Sequence, residues 1–269
     1  MGYQHLEVER RDGVGWLWLN RPAKLNALSD DLWVDLPSAV SDLDRDPEVR
    51  ALVIAGRGPC FTVGIDLEML AGFRPEGRSE VEQRMALYRS IRRLQATMSA
   101  FADTTKPVIA AVHGHCLGAG IDLITACDIR LAAADAVFSV RETKLAIVAD
   151  VGTLQRLPSI LSPGHVAELV YTGKDIDAAR AAKIGLVNDV YEDQSSLFDA
   201  ARALASQIAA NSPLAVQGSK AVLRAGAEMT VEQALDHVAL WNSSFLHSRD
   251  LDEAITALRE RRPPRFTGV

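Results

Sequence analysis

Short apolar runs and amphipathic stretches alternate along the first two-thirds of the chain. Residues 14–19 form a β-rich run that Asn20-Arg21-Pro22 ends. Residues 51–55 and 108–112 are continuous apolar runs suited to strands buried on both faces, and 129–133 and 137–140 read as shorter strands. Ser29 is placed to cap an amphipathic helix over 30–44, within which Pro37 predicts a kink or a late start. The clearest long helix covers 80–101, where Met85, Tyr88, Ile91, Leu94 and Met98 recur at spacings of three and four. A polar loop with glycine and proline, 72–79, leads into it and reads as mobile. Beyond Thr153 come short helices over 153–161, 164–171 and 178–184 and a last strand over 187–190. The remainder, 194–262, is almost wholly helical, interrupted at Ser212-Pro213. The pattern predicts an α/β core over 1–192 followed by a helical region over 193–269.

Composition narrows the function classes. The 269 residues are 48% hydrophobic, enough for one large core, and the formal net charge of −6 disfavours nucleic acid and anionic membranes as partners. Three cysteines, Cys60, Cys116 and Cys127, make an odd count with no metal-ligand spacing, so neither a disulfide framework nor a metal site is expected. The first residues lack an apolar signal core, and the longest uncharged apolar stretch, 107–121, is shorter than a membrane span. A cytoplasmic protein is the expectation.

Three acids sit among small and apolar residues, where an unpaired surface acid would be out of place. Asp122 ends the segment His113-Gly-His-Cys-Leu-Gly-Ala-Gly-Ile-Asp122, Glu142 ends Phe138-Ser-Val-Arg-Glu142, and Asp150 lies in Ala149-Asp150-Val-Gly-Thr153. Two glycine-containing strand-to-helix turns, 60–67 and 114–120, have main-chain N–H groups free to donate to a negative oxygen. Neither matches a dinucleotide or P-loop fingerprint. Donors for developing negative charge beside carboxylates that move protons form a catalytic constellation. Taken singly, Asp122 could cap or pair within its helix, Glu142 could pair with Arg141 or Lys144, and Asp150 could be an N-cap. Asp66 is expected to stabilise its own turn, His113 and His115 to be buried and hydrogen-bonded, and Lys220 and Arg224 to form a solvated helix face or, alternatively, a phosphate contact.

These residues resemble the enoyl-CoA hydratase/isomerase (crotonase) superfamily. The likeness runs from Asn20-Arg-Pro-Ala-Lys-Leu-Asn-Ala-Leu28 through Phe61-Thr-Val-Gly-Ile-Asp66 and the second glycine turn to Gly185-Leu186-Val187. Asp122, Glu142 and Asp150 together are similar to the dienoyl-CoA isomerase branch, whereas family hydratases carry two glutamates at the positions of Asp122 and Glu142. The resemblance implies a spiral of ββα units with a helical C-terminal trimerisation region, giving a trimer or a dimer of trimers. It implies an oxyanion hole from the N–H groups of Ile65 and Ala119. Coenzyme A would lie along Ala23, Lys24, Ala27 and the 65–67 turn, with Gly64, Asp66, Leu67, Leu117 and Gly118 completing the binding set. CoA would enter as part of an acyl-CoA substrate, with no separate cofactor. Where the family has a glycine triplet, this chain has Gly118-Ala119-Gly120, which keeps the central N–H and adds a methyl.

The reaction so implied moves the double bonds of a 3,5-dienoyl-CoA into conjugation. Glu142 would take a proton from C2, protonated Asp150 would return one at C6, and Asp122 would hold or tune them. Burial and two neighbouring carboxylates are expected to raise the Asp150 pKa. The alternatives are an enoyl-CoA hydratase in which Asp122 and Glu142 activate water, a thioester hydrolase or dehalogenase with Asp150 as nucleophile, and an RNA-binding relative, which the acidic composition disfavours.

Overall fold

A tight turn and continuous apolar runs build the first sheet. In the computed structural model, which describes residues 3–72 and 76–269, β1 (Leu6–Arg11) and β2 (Val14–Leu19) pair as an antiparallel hairpin. Asp12 and Gly13 connect them at φ 51° and 78°, the positive values that a two-residue hairpin turn requires. There follow α1 (Asp30–Arg45), β3 (Ala51–Gly56), α2 (Leu67–Gly72), α3 (Glu80–Asp103) and β4 (Val108–Val112). Residues 73–75 of the expected 72–79 loop lie outside the described residues. Next are β5 (His115–Leu117), α4 (Ala119–Thr125), β6 (Ile129–Ala133), β7 (Val137–Ser139), α5 (Thr153–Ile160), α6 (Pro163–Thr172), β8 (Ile176–Asp177), α7 (Ala178–Ile184) and β9 (Asp189–Tyr191). Four helices close the chain: α8 (Gln194–Ala209), α9 (Pro213–Gly226), α10 (Val231–Phe245) and α11 (Arg249–Glu260).

The main sheet has the order β1-β2-β3-β4-β6-β9, parallel apart from its first hairpin. A second sheet, β5-β7-β8, stands beside it. Leu17, Leu19, Leu52, Ile54, Val108 and Val112 point into the larger core with α1 and the second half of α3. Trp16, Trp18, Val53, Ala55 and Ile109 point the other way, against Leu197, Ala201 and Ala205 of α8. Coverage on both faces explains why these strands read as continuous apolar runs rather than alternating ones.

Three expectations change. Pro37 does not delay the start of α1, which runs as one continuous helix from Asp30 to Arg45. Pro37 has no N–H for the carbonyl four residues back, that of Trp33. The Thr97 hydroxyl of α3 donates to that carbonyl at 2.7 Å, so the lost bond is replaced from outside the helix. Ser29 holds the N-cap position, but its hydroxyl makes no capping bond. The amphipathic stripe of α3 covers the core only from Leu94 onward, while Met85 and Tyr88 are exposed.

Candidate active site

Asn26 ties the first turn together. Fully buried, its amide donates to the carbonyls of Arg57 (2.9 Å) and Cys60 (2.8 Å) and accepts from the Arg21 N–H at 2.8 Å. The Thr62 hydroxyl donates to the Asn26 carbonyl and accepts from the Gly64 N–H. Asp66 does bond locally, accepting from the Glu68 N–H, but its main partner is distant: Arg21 Nη1 at 2.5 Å, which holds its carboxyl below the usual range. Paired this way, Asp66 is a structural anion rather than a proton carrier.

The second turn docks directly on the first. Part of it is strand β5 rather than loop, bridged to Thr62 by Thr62 N–H to His115 O (2.8 Å) and Leu117 N–H to Thr62 O (3.1 Å). Gly64 permits this contact. It sits at φ +88°, and a Cβ there would lie 2.6 Å from the Leu117 carbonyl oxygen and 3.1 Å from Ala119 N. Among the described residues, the N–H groups of Ile65 and Ala119 have no acceptor. Both residues, on neighbouring turns, line one cavity.

The three acids are brought to that place with unequal burial. Asp122 on α4 is 1% exposed and accepts a 2.6 Å bond from the Thr153 N–H. It caps α5 rather than pairing within its own helix. Burial lifts its pKa to about 6, opposed by the bond from Thr153. Glu142 opens a 3-10 turn after β7 and is half-buried, and a Cβ on Gly118 would lie 3.6 Å from its Oε1. Its Oε2 is buried with no partner. Burial, then the charges of Asp122 and Asp150, push its pKa up to about 7. Asp150 is exposed, and its pKa is raised by desolvation against a bond from its own main chain. The repulsion expected to act on Asp150 thus falls on Glu142 and Asp122. Asp150 is also not the N-cap of α5, a position held by Gly152. Arg141 pairs with Asp175 and leaves Glu142 unpaired.

All three acids line one cavity of about 600 Å³, together with Lys24, Ala27, Ile65, Asp66, Leu67, Leu117, Gly118 and Ala119. Its apolar wall comes from Trp33, Leu70, Leu87, Ile91, Leu94 and Val151. Ala23 is exposed on the turn before it and Gly64 lies behind its wall, so neither borders it. Lys24 pairs with Glu68 at 3.2 Å at the exposed rim. Sequence reasoning missed Arg21, Asn26 and the apolar wall. Arg21 and Asn26 lay within the quoted Asn20–Leu28 motif.

The remaining candidates lie elsewhere. His113 is buried and within 3.0 Å of the Gly58 carbonyl, with burial lowering its pKa, whereas His115 is exposed, contrary to expectation. Lys220 is largely covered, whereas Arg224 is exposed, as a solvated face requires. Lys220 bonds Asp128 and the Lys106 carbonyl, and Arg224 bonds Asp103 and the Ala102 carbonyl, docking α9 on the core. Cys60, Cys116 and Cys127 are free thiols, all buried. Among the described residues no group of His, Cys, Asp and Glu is arranged to hold a metal, and no helix is long and apolar enough to cross a membrane.

The pattern described as "Enoyl-CoA hydratase/isomerase" matches residues 9–269. The peroxisomal Delta(3,5)-Delta(2,4)-dienoyl-CoA isomerase of Arabidopsis thaliana is 45% identical, covering 98% of this chain and 97% of that protein. The mitochondrial enzyme of the same name from Homo sapiens is 42% identical over 91% of this chain and 75% of that one. Among solved structures, an enoyl-CoA hydratase from Bacillus anthracis superposes with a TM-score of 0.90 at 32% identity, covering 99% of this chain and 100% of that one. The α/β arrangement with its helical C-terminal region is therefore the crotonase fold.

Proposed function

The chain belongs to the enoyl-CoA hydratase/isomerase family, and from that premise we propose that it is a dienoyl-CoA isomerase, converting a 3,5-dienoyl-CoA to the conjugated 2,4-dienoyl-CoA. One observation carries the reading: two carboxyls, Glu142 and Asp150, line a cavity that also presents the unpartnered N–H groups of Ile65 and Ala119. The thioester oxygen accepts from those two N–H groups. Glu142 removes a proton from C2, and the charge spreads along the conjugated chain onto the oxygen. Protonated Asp150 then delivers a proton to C6. A donor in such a hole is worth about 3–4 kcal/mol of barrier.

Local electrostatics support these roles. A carboxyl with a pKa of about 7 is ionised often enough near neutrality to act and is basic enough to take a carbon-bound proton. Its unpartnered Oε2 needs no bond broken before it reacts. Substrate lying over Asp150 excludes water from the exposed side of its carboxyl and so favours the protonated form. Asp122 is engaged by Thr153, which favours a holding role and argues against the hydratase alternative, where it would have to position water. CoA lies along Lys24, Ala27 and Leu67, with Ala23 at the entrance and Gly64, Asp66, Leu117 and Gly118 shaping the turns. The double bonds shift by proton transfer with no net oxidation or reduction, so the chemistry calls for no redox cofactor.

The region 193–269 is assigned to homo-oligomerisation, as a trimer or a dimer of trimers. Its helix α10 buries none of its residues within the protomer, and Val231, Leu235 and Leu240 are exposed there. The acidic composition and unpaired cysteines support a cytoplasmic location, whereas the two relatives are named for the peroxisome and the mitochondrion.

Offering 3,5-dienoyl-CoA and, separately, 2-enoyl-CoA tests the reading. Growth of conjugated-diene absorbance with the first is expected. Loss of enoyl absorbance with the second, and no reaction with the first, would replace isomerase by hydratase.

A further inference from the structure

The segment that carries Asp150 has few bonds of its own. Residues 146–152 lie between the 3-10 turn and α5, tied at one end by Ile147 N–H to Glu142 O (3.1 Å) and at the other by the Thr153 N–H to Asp122. Between these ties, the main-chain carbonyl of Asp150 accepts a 2.6 Å bond from Gln95 Nε2 of α3. The other amide atom, Gln95 Oε1, accepts from Arg92 Nη1 at 2.7 Å. A guanidinium only donates and a carbonyl only accepts, so the two bonds together fix which way the amide points. Among the described residues no side chain bonds the Asp150 carboxyl itself. Its position is therefore inherited from its backbone, and Gln95 is the side chain that anchors that backbone from α3.

We propose that Gln95 is a positioning residue for the isomerisation, one that holds the Asp150 turn so that its carboxyl reaches C6 while leaving the Glu142 end of the site untouched. The inference rests on the dienoyl-CoA reading above. It predicts a split that a merely structural role would not produce. Proton exchange at C2 needs only Glu142 and the oxyanion hole, whereas product formation also needs Asp150 in place.

Wild type, Gln95→Met and Arg92→Met are compared in D2O with 3,5-dienoyl-CoA, reading C2 exchange by NMR, conjugated-diene formation by absorbance, and melting temperature. Gln95→Met keeps the shape and loses the donor. It is expected to retain C2 exchange within about twofold, while the kcat for diene formation falls roughly tenfold to a hundredfold with little change in KM. Arg92→Met, which frees the amide to turn, should show the same split more weakly. Equal loss of both rates, or no loss of either, overturns the inference. Should Gln95→Met fail to fold, an unchanged ratio of the two rates in Arg92→Met overturns it instead. A wild type that neither exchanges nor isomerises overturns the dienoyl-CoA reading and the inference with it. A fully active wild type beside an unaltered Gln95→Met overturns the inference alone.

Discussion

Glu142 carries the electrostatic load of the site, because burial and the charges of Asp122 and Asp150 all oppose its ionisation. As a base it acts only when ionised, so C2 exchange should rise with pH through about 7 and then level off. Product formation also needs Asp150 protonated, so it should show a falling alkaline limb that C2 exchange lacks. The apparent values belong to the coupled carboxyls together. Exchange that is flat from about pH 5 to pH 9 would contradict the assignment of the base. The acids themselves were legible in the sequence because they stand among small and apolar residues. Their unequal burial was not, since it depends on which side of a turn each carboxyl leaves. Gln95 and Arg21 were equally hidden: their partners, the Asp150 carbonyl and the Asp66 carboxyl, lie 55 and 45 residues away.

Among the elements, α1 shows how a tertiary bond overrides a local rule. Proline inside a helix ordinarily costs about 3 kcal/mol, partly through the carbonyl it leaves unpaired. Here the Thr97 hydroxyl takes up the Trp33 carbonyl, and Trp33 in turn lines the cavity. Thr97→Val keeps the shape and removes the donor. It should lower stability by about 1–3 kcal/mol in denaturant titration; a change below about 0.5 kcal/mol would mean that Pro37 is tolerated for another reason. Most strands and helices were legible from period and caps. The opening hairpin was missed although Asp12-Gly13 marks it, because its first strand, Leu-Glu-Val-Glu-Arg-Arg, is mostly charged and looks like a solvated terminus. The strand expected at 187–190 instead begins at Asp189, where β9 meets β6 at the sheet edge.

At the scale of the whole molecule, α8 packs on the main sheet whereas α10 buries none of its residues. Between α9–α11 and the core lies a hollow of about 1120 Å³, larger than the acid-lined cavity and lined in part by Trp241, Phe245 and Leu246. Such a hollow beside an uncovered α10 is what an intersubunit contact would fill. Light scattering should give at least three times the 29.1 kDa protomer mass, and Leu235→Glu combined with Leu240→Glu should reduce it to one. A monomeric wild type at micromolar concentration would remove the oligomerisation role from 193–269. The change from mixed to helical pattern after residue 192 was visible in the sequence, whereas the lack of buried residues in α10 appears only once its neighbours are in place. The claim on which the rest depends is that Glu142 and Asp150 serve opposite ends of one conjugated chain. It is tested most directly by following 3,5-dienoyl-CoA in D2O with wild type and Asp150→Asn. Wild type should place solvent deuterium at C6 of the 2,4-dienoyl product, while Asp150→Asn still exchanges C2 but forms product at least about a hundredfold more slowly. Asp150→Asn turning over at the wild-type rate, with deuterium at C6, would contradict the account.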